Sequence, residues 1–162
     1  MARDKMALEW AQKLADAVVK RLSPHCQKIE VAGSIRRRKP WVNDVDIVLI
    51  PSDAWNLEGE VLALARPFQP KMSGEKLKRF DYNGAQVDVY YATPETWSTL
   101  LLIRTGSKEN NIRLCSLAKK MGWHLAASGD GLFDDTGKRV AGDTEESIYQ
   151  ALGLPWQPPE ER

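Results

Sequence analysis

Gly33-Ser34-Ile35-Arg36-Arg37-Arg38-Lys39-Pro40-Trp41-Val42-Asn43-Asp44-Val45-Asp46 joins a Gly-Ser pair to two carboxylates through a run of four cations. The chain then continues as Ile47-Val48-Leu49-Ile50, apolar throughout. Such a run reads as a buried strand, and alternate side chains of a strand share a face. Asp44 and Asp46 therefore point one way, with Val45, Ile47 and Leu49 toward a core. Carboxylates held side by side repel one another unless a cation lies between them. Oxygen-only ligands suit a hard cation such as magnesium. Two such ions a few ångströms apart commonly clamp an in-line phosphoryl or nucleotidyl displacement.

Outward from this unit, Lys28-Ile29-Glu30-Val31-Ala32 alternates as a strand that runs into Gly33-Ser34. A short helix is expected from Ser34 to before Pro40. Glycine lets a phosphate approach the backbone, and a helix N-terminus offers free amides to it. The Ser34 hydroxyl adds a donor. A lone Gly-Ser is equally an ordinary helix cap, and only its closeness to Asp44-Val45-Asp46 makes it more. Arg36, Arg37 and Arg38 fan around a short helix, so one or two of them can face a single ligand.

Asp88 is a third carboxylate in an apolar strand, Val87-Asp88-Val89, where a charge is costly unless paired or metal-bound. A turn at Tyr82-Asn83-Gly84, between an arm carrying Leu77 and Phe80 and a second arm over 85–91, predicts a hairpin from Lys76 to Tyr91. If the second arm lies beside the 44–50 strand, Asp88 joins Asp44 and Asp46 as a two-magnesium site. The plain alternative is a strand carboxylate paired with a lysine or arginine.

The rest of the chain frames this unit. Met6, Trp10, Leu14, Ala17, Val18 and Leu22 give an amphipathic helix over about 4–22, and a second is expected over about 53–65. Thr93-Pro94-Glu95 carries the signature of a helix start. Further helices are expected near 108–121 and 143–152, with short strands near 123–126, 131–133 and 138–141. The best boundary falls near Thr93. It separates a catalytic α/β lobe, 1–93, from a smaller α+β lobe, 94–162.

The 162 residues suffice for one domain or two small lobes with real cores. Cys26 and Cys115 stand far apart, which argues against a disulfide framework or zinc ribbon and fits a reducing cytosol. No apolar run approaches the roughly 20 residues of a membrane helix, and no targeting signal opens the chain. The expectation is a cytoplasmic protein without a membrane partner. The net charge of +1 hides an asymmetry: 15 Lys/Arg against 10 Asp/Glu in residues 1–80, and 8 against 12 thereafter. A basic first half suits a polyanion, although a solvated charged face explains it equally.

With these motifs in hand, the chain resembles the catalytic part of an X-family DNA polymerase, the polymerase beta group of the nucleotidyltransferase superfamily. The resemblance rests on Gly33-Ser34, on Asp44-Val45-Asp46, on Asp88 and on Arg104-Thr105-Gly106-Ser107-Lys108-Glu109-Asn110-Asn111. It continues through Gly131-Leu132-Phe133, 140–146 and 152–160, as in the C-terminal subdomain of bacterial-type members. It implies an α+β fold: a palm with a mixed sheet and flanking helices, then a small C-terminal lobe that binds nucleotide and DNA. It implies a DNA polymerase that adds dNTPs to a DNA 3′-hydroxyl in gap filling or repair, with two Mg2+ ions (or Mn2+), and acts as a monomer.

Residue by residue, the resemblance assigns Asp44, Asp46 and Asp88 to the metals, with Asp88 also at the primer 3′-hydroxyl. It assigns Gly33, Ser34, Arg37 and Asn43 to the triphosphate and Gly106 and Ser107 to the sugar. Lys108 falls near the nucleotide, Asn111 at the minor-groove edge of the base and Lys71 on DNA. There are departures. Ile103-Arg104 stands where polymerase beta has an aromatic pair bordering the deoxyribose, which opens the site to ribonucleotides. Asn43 replaces a glycine, and Gln86 replaces an arginine two positions before the third aspartate. The lyase, helix-hairpin-helix and phosphoesterase parts have no counterpart, so lyase and exonuclease activities are not expected. The competing reading is a nucleotidyltransferase acting on an RNA, a protein or a small molecule.

Overall fold

The computed structural model describes residues 5–162. In chain order the elements are β1 (Met6–Ala7), α1 (Leu8–Leu22), β2 (Cys26–Val31), α2 (Gly33–Arg36), β3 (Trp41–Val42), β4 (Val45–Pro51) and α3 (Ala54–Ala65). Then come β5 (Met72–Ser73), β6 (Leu77–Tyr82), β7 (Ala85–Tyr91), α4 (Trp97–Thr105) and α5 (Lys108–Lys120). Last come β8 (His124–Ala126), β9 (Gly131–Phe133), β10 (Arg139–Ala141) and α6 (Glu145–Ala151). The fold is α+β.

The main sheet is mixed, with strand order β2-β4-β7-β6-β5. β4 pairs antiparallel with β2 and parallel with β7, and the β6–β7 hairpin is antiparallel. Asn83 and Gly84 make the hairpin turn with positive φ values of 48° and 82°, as a two-residue hairpin loop demands.

Because β4 is an interior strand, its two faces serve two cores. Val45, Ile47 and Leu49 pack with Val87 and Val89 against α1 and α3. Val48 and Ile50 pack on the opposite face against Leu100 and Leu101 of α4. Asp46 and Asp88 share that second face by alternation. So α4, leading into the C-terminal lobe, comes down on the face that carries the carboxylates. α1 fits its place by spacing: Ala11, Leu14, Ala15, Val18 and Leu22 are all buried. The C-terminal lobe has a core of its own from Leu102, Leu114, Leu125, Leu132, Ile148 and Tyr149, under the antiparallel sheet β10-β9-β8.

Two helix starts differ from the sequence reading. The expected start near residue 4 lies outside the described residues, and the helix proper begins at Leu8. Met6–Ala7 are instead a strand paired with Trp41–Val42. The helix expected from Thr93 begins at Trp97. Thr93 and Thr96 close a local turn: each backbone N–H donates to the other's hydroxyl, at 2.9 and 3.3 Å. Those side chains compete for the backbone and delay the helix. No helix among the described residues is long and apolar enough to cross a membrane.

Candidate active site

The parallel register of β4 and β7 sets Asp46 opposite Asp88, and neighbouring strands lie about 4.8 Å apart. Asp44 sits just before β4. Burial, then the charges of Asp88 and Asp44, push the Asp46 carboxyl up to about 7; Arg104 and Arg37 pull the other way. A buried carboxylate crowded by two others marks a place where a cation is stabilising. All donors of the trio are oxygens, which fits a hard divalent cation. The trio is not a closed cage: among the described residues no three acidic, histidine or cysteine side chains are gathered in metal-binding geometry. Asp88 gives both oxygens to Arg79, at 2.7 Å from Nε and 3.2 Å from Nη2.

Gly33 closes one side of the site. It ends the strand-to-helix step with φ +60°, and a Cβ there would lie 2.3 Å from Asp46 Oδ2. Only glycine brings this backbone so close to the carboxylate. Beside it opens a cleft of about 350 Å³. From the first lobe Gly33, Ser34, Arg37, Asp46 and Tyr90 line it. From the second come Ile103, Arg104, Thr105, Gly106, Lys108, Asn111 and Ile112.

The cationic run after Ser34 is divided by role. Arg37 turns into the cleft and its Nη1 donates to the Thr105 carbonyl at 2.6 Å. Burial pulls its pKa down, against the raising charges of Asp46 and Glu109. Its Nε is buried without a hydrogen-bond partner among the described residues, as is Asn111 Oδ1. The Arg37 guanidinium lines the cleft, and a cation there fits an anionic ligand such as a phosphate. Arg36 turns away and forks Glu145 through two 2.8 Å bonds while its Nη1 also donates to Thr105 Oγ1 at 2.8 Å. Arg162 reaches the same Glu145 at 2.9 Å, its guanidinium beside the Tyr149 and Trp156 rings. Burial would raise the Glu145 carboxyl, but the Arg36 hydrogen bonds and charge, helped by Arg162, hold it below the usual range. This network fastens α2 of the first lobe to α4 and α6 of the second.

Of the residues singled out from sequence, Gly33, Ser34, Arg37, Asp46, Gly106, Lys108 and Asn111 meet in one cleft. Asp88 adjoins it through the ladder. Asn111 donates from Nδ2 to the Ile103 carbonyl at 2.8 Å. The Ser107 hydroxyl caps α5 by accepting from Asn110 N–H at 3.2 Å, after a cis Gly106–Ser107 peptide bond. Asn43 is exposed beside Asp44 and does not line the cleft. Lys71 forms an ion pair with Asp81 at 3.1 Å on the hairpin.

Two site residues escaped the sequence reading. Tyr90 lies two positions after Asp88 on the same face, and the Arg104 guanidinium sits 4.2 Å from its ring centroid. Arg79 holds Asp88. The Asn83-Gly84 turn contained that signal, because a two-residue loop pairs residue 82 with 85 and so 79 with 88.

Comparison with known proteins agrees with this architecture. Residues 100–162 match the family model of the DNA polymerase beta thumb. The DNA polymerase/3′-5′ exonuclease PolX of Bacillus subtilis (strain 168) is 28% identical over 165 residues, covering 98% of this chain. The chain spans 29% of the length of that relative. The crystal structure of Leishmania infantum polymerase beta in a ternary P/T complex superposes with a TM-score of 0.83 at 20% identity. That match covers 99% of this chain and 77% of the other.

Proposed function

We propose that this chain, whose fold is that of polymerase beta and whose residues 100–162 match the polymerase beta thumb, transfers a nucleotide from a dNTP to the 3′-hydroxyl of a DNA primer. The primer O3′ attacks the α-phosphorus, the bond to the β-phosphate oxygen breaks and pyrophosphate leaves. One observation carries the reading: Asp46 and Asp88 stand opposite each other in a parallel ladder, on the face that the second lobe covers. The neighbouring cleft carries Ser34 and Arg37 on one wall and Gly106 on the other.

Asp44, Asp46 and Asp88 would hold two Mg2+ ions, which supply an easier deprotonation of O3′ and neutralise charge on the pyrophosphate. Asp88 orients the primer hydroxyl. Ser34 and Arg37 hold the triphosphate through hydroxyl and guanidinium hydrogen bonds. Gly106 lets the sugar approach the backbone, with Ser107 and Lys108 beside it. Asn111 offers its buried oxygen toward the base. Residues 1–93 act as the catalytic lobe and 94–162 as the lobe gripping nucleotide and DNA, with Lys71 on the primer side. The stacked Arg104 and Tyr90 form a cationic floor near the sugar in place of an aromatic pair, so ribonucleotides enter as well.

Primer extension tests this on templated, untemplated and gapped DNA with each dNTP and NTP. Expected are Mg2+-dependent extension on paired templates and weak, salt-sensitive binding with distributive synthesis, in keeping with gap filling or repair by a monomer. No extension of any DNA, together with nucleotide transfer to another acceptor, overturns it.

A further inference from the structure

The Arg79–Asp88 fork has more to do than stabilise a hairpin. Arg79 lies directly across the ladder from Asp88, and two of its donors take both carboxylate oxygens, at 2.7 and 3.2 Å. Gln86 Nε2 comes to 3.4 Å of the oxygen that receives the shorter bond. The Asp88 side chain is 6% exposed and that of Arg79 32%. The carboxylate is therefore fixed in place, and the guanidinium is the partner with room to move.

We infer that Arg79 is the positioning residue of Asp88 and competes with a divalent cation for its oxygens, so that a metal binds less tightly while Arg79 holds its full fork. Asp88 has two oxygens, both engaged, and lies beside Asp46 in the ladder. A cation bridging these strands must share an oxygen that already accepts from Arg79, whose hydrogen bond and charge weaken it as a ligand. The guanidinium also adds a positive charge where the cation has to come, and that charge opposes it. Where one bond weakens, the other still fixes the carboxylate rotamer, so the arginine continues to aim Asp88 while the metal is bound. Gln86 shares the face of Asp88 two residues away and can take over the hydrogen bond but not the charge.

This rests on the metal-binding part of the proposed function, and it is tested without catalysis. Mn2+ binding to the full chain is followed by electron paramagnetic resonance, without DNA or nucleotide. Arg79→Gln is expected to bind Mn2+ about tenfold more tightly than the wild type, the gain from removing one unit charge near the ion. In an Asp88→Asn background the same substitution should tighten Mn2+ clearly less than in the wild type, because only the charge of Arg79 is removed there and no longer its hold on the Asp88 oxygens. Arg79→Lys keeps the charge and loses the fork. It should tighten Mn2+ less than Arg79→Gln, and it serves in its place if that variant does not fold. In Arg79→Gln/Gln86→Arg, the guanidinium returns from the same strand and wild-type affinity is expected to come back.

Unchanged or weaker Mn2+ binding in Arg79→Gln overturns the inference. So does an equal tightening in the Asp88→Asn background. If the Mn2+ pattern holds while no DNA is extended, the polymerase reading falls and this one stands. If DNA is extended while the Mn2+ pattern is absent, the reverse holds.

Discussion

Arg36 grips Glu145 at the junction of the lobes, and Arg79 grips Asp88 across the hairpin; each pair is a guanidinium fork on a carboxylate. Their neighbours differ. Glu145 receives a second arginine, Arg162, and Arg36 also holds Thr105, so positive charge is in surplus and the carboxyl is easily ionised. Asp88 has Asp46 beside it, and burial together with the charges of Asp88 and Asp44 pushes the Asp46 carboxyl up to about 7 against the pull of Arg104 and Arg37. The first arrangement is complete as it stands and works as a fastening. The second gains by acquiring another cation. Identical contacts thus serve opposite ends, and the balance of charge around them decides which.

The comparison breaks most sharply at Asp46. Asp46→Asn keeps the shape and removes the charge that crowds the ladder. Primer extension is expected to fall at least about a thousandfold, since under the proposed function Asp46 holds the metal ions. The metal-free protein should melt no lower than the wild type, because like-charge repulsion is relieved. Extension kinetics with a thermal melt on the same preparation checks both halves. A large drop in melting temperature would show that Asp46 is structural, as Glu145 is.

At the fastening the effects should reverse. Glu145→Ala leaves Arg36 and the buried Arg162 side chain without their carboxylate. Removing one member of a largely buried pair costs about 3 kcal/mol, readable by urea unfolding. Mn2+ affinity at the aspartates should stay within about twofold of the wild type, because the network touches none of them.

The contrast also shows what the sequence could and could not reveal. β4 and the β6–β7 hairpin were legible because burial on both faces and an Asn-Gly turn leave local marks. Asp44, Asp46 and Asp88 stood out because carboxylates are conspicuous in apolar strands. Sequence reasoning weighed two fates for Asp88, a metal or a basic partner, and the structure provides the partner while keeping Asp88 in the ladder with Asp46. The roles of Arg36 and Arg37 were not separable by composition. One turn of a four-residue helix sends Arg36 to Glu145 and Arg37 to the cleft, and Glu145 lies 109 residues away in the chain. β1 was hidden for the same reason, since two residues gain strand geometry only from a partner at Trp41–Val42. Pairings set by distant chain leave no local periodicity to read.

Gly33 lies between Asp46 of the ladder and the cleft that holds Ser34 and Arg37, and Gly33→Ala probes that junction. The positive φ costs an alanine about 1–2 kcal/mol, and the new methyl would meet Asp46 Oδ2 at 2.3 Å. The expected result is a modest loss of stability with a disproportionate loss of kcat, because the displaced group is the carboxylate itself. Gly84→Ala in the hairpin turn is the control: φ is +82° there, but no atom lies within 4 Å of the added Cβ. It should show the stability loss and leave kcat nearly unchanged.

The smallest expected effect is in acid, at the fastening. The folded-state pKa of Glu145 lies below its ordinary value of 4.5, which the unfolded chain restores. Between those values the unfolded chain binds more protons, so protonation favours unfolding there. The stabilisation is complete above about pH 4.5 and is lost as pH falls through the lower folded value. Glu145→Gln cannot titrate and keeps an oxygen for Arg36. Its unfolding free energy should therefore lie below that of the wild type at pH 6, and the gap should narrow as pH approaches 3. A gap that stays constant over that range would mean the Arg36 fork works by shape and hydrogen bonding without its charge. The distinction between the two forks would then rest on the aspartates alone.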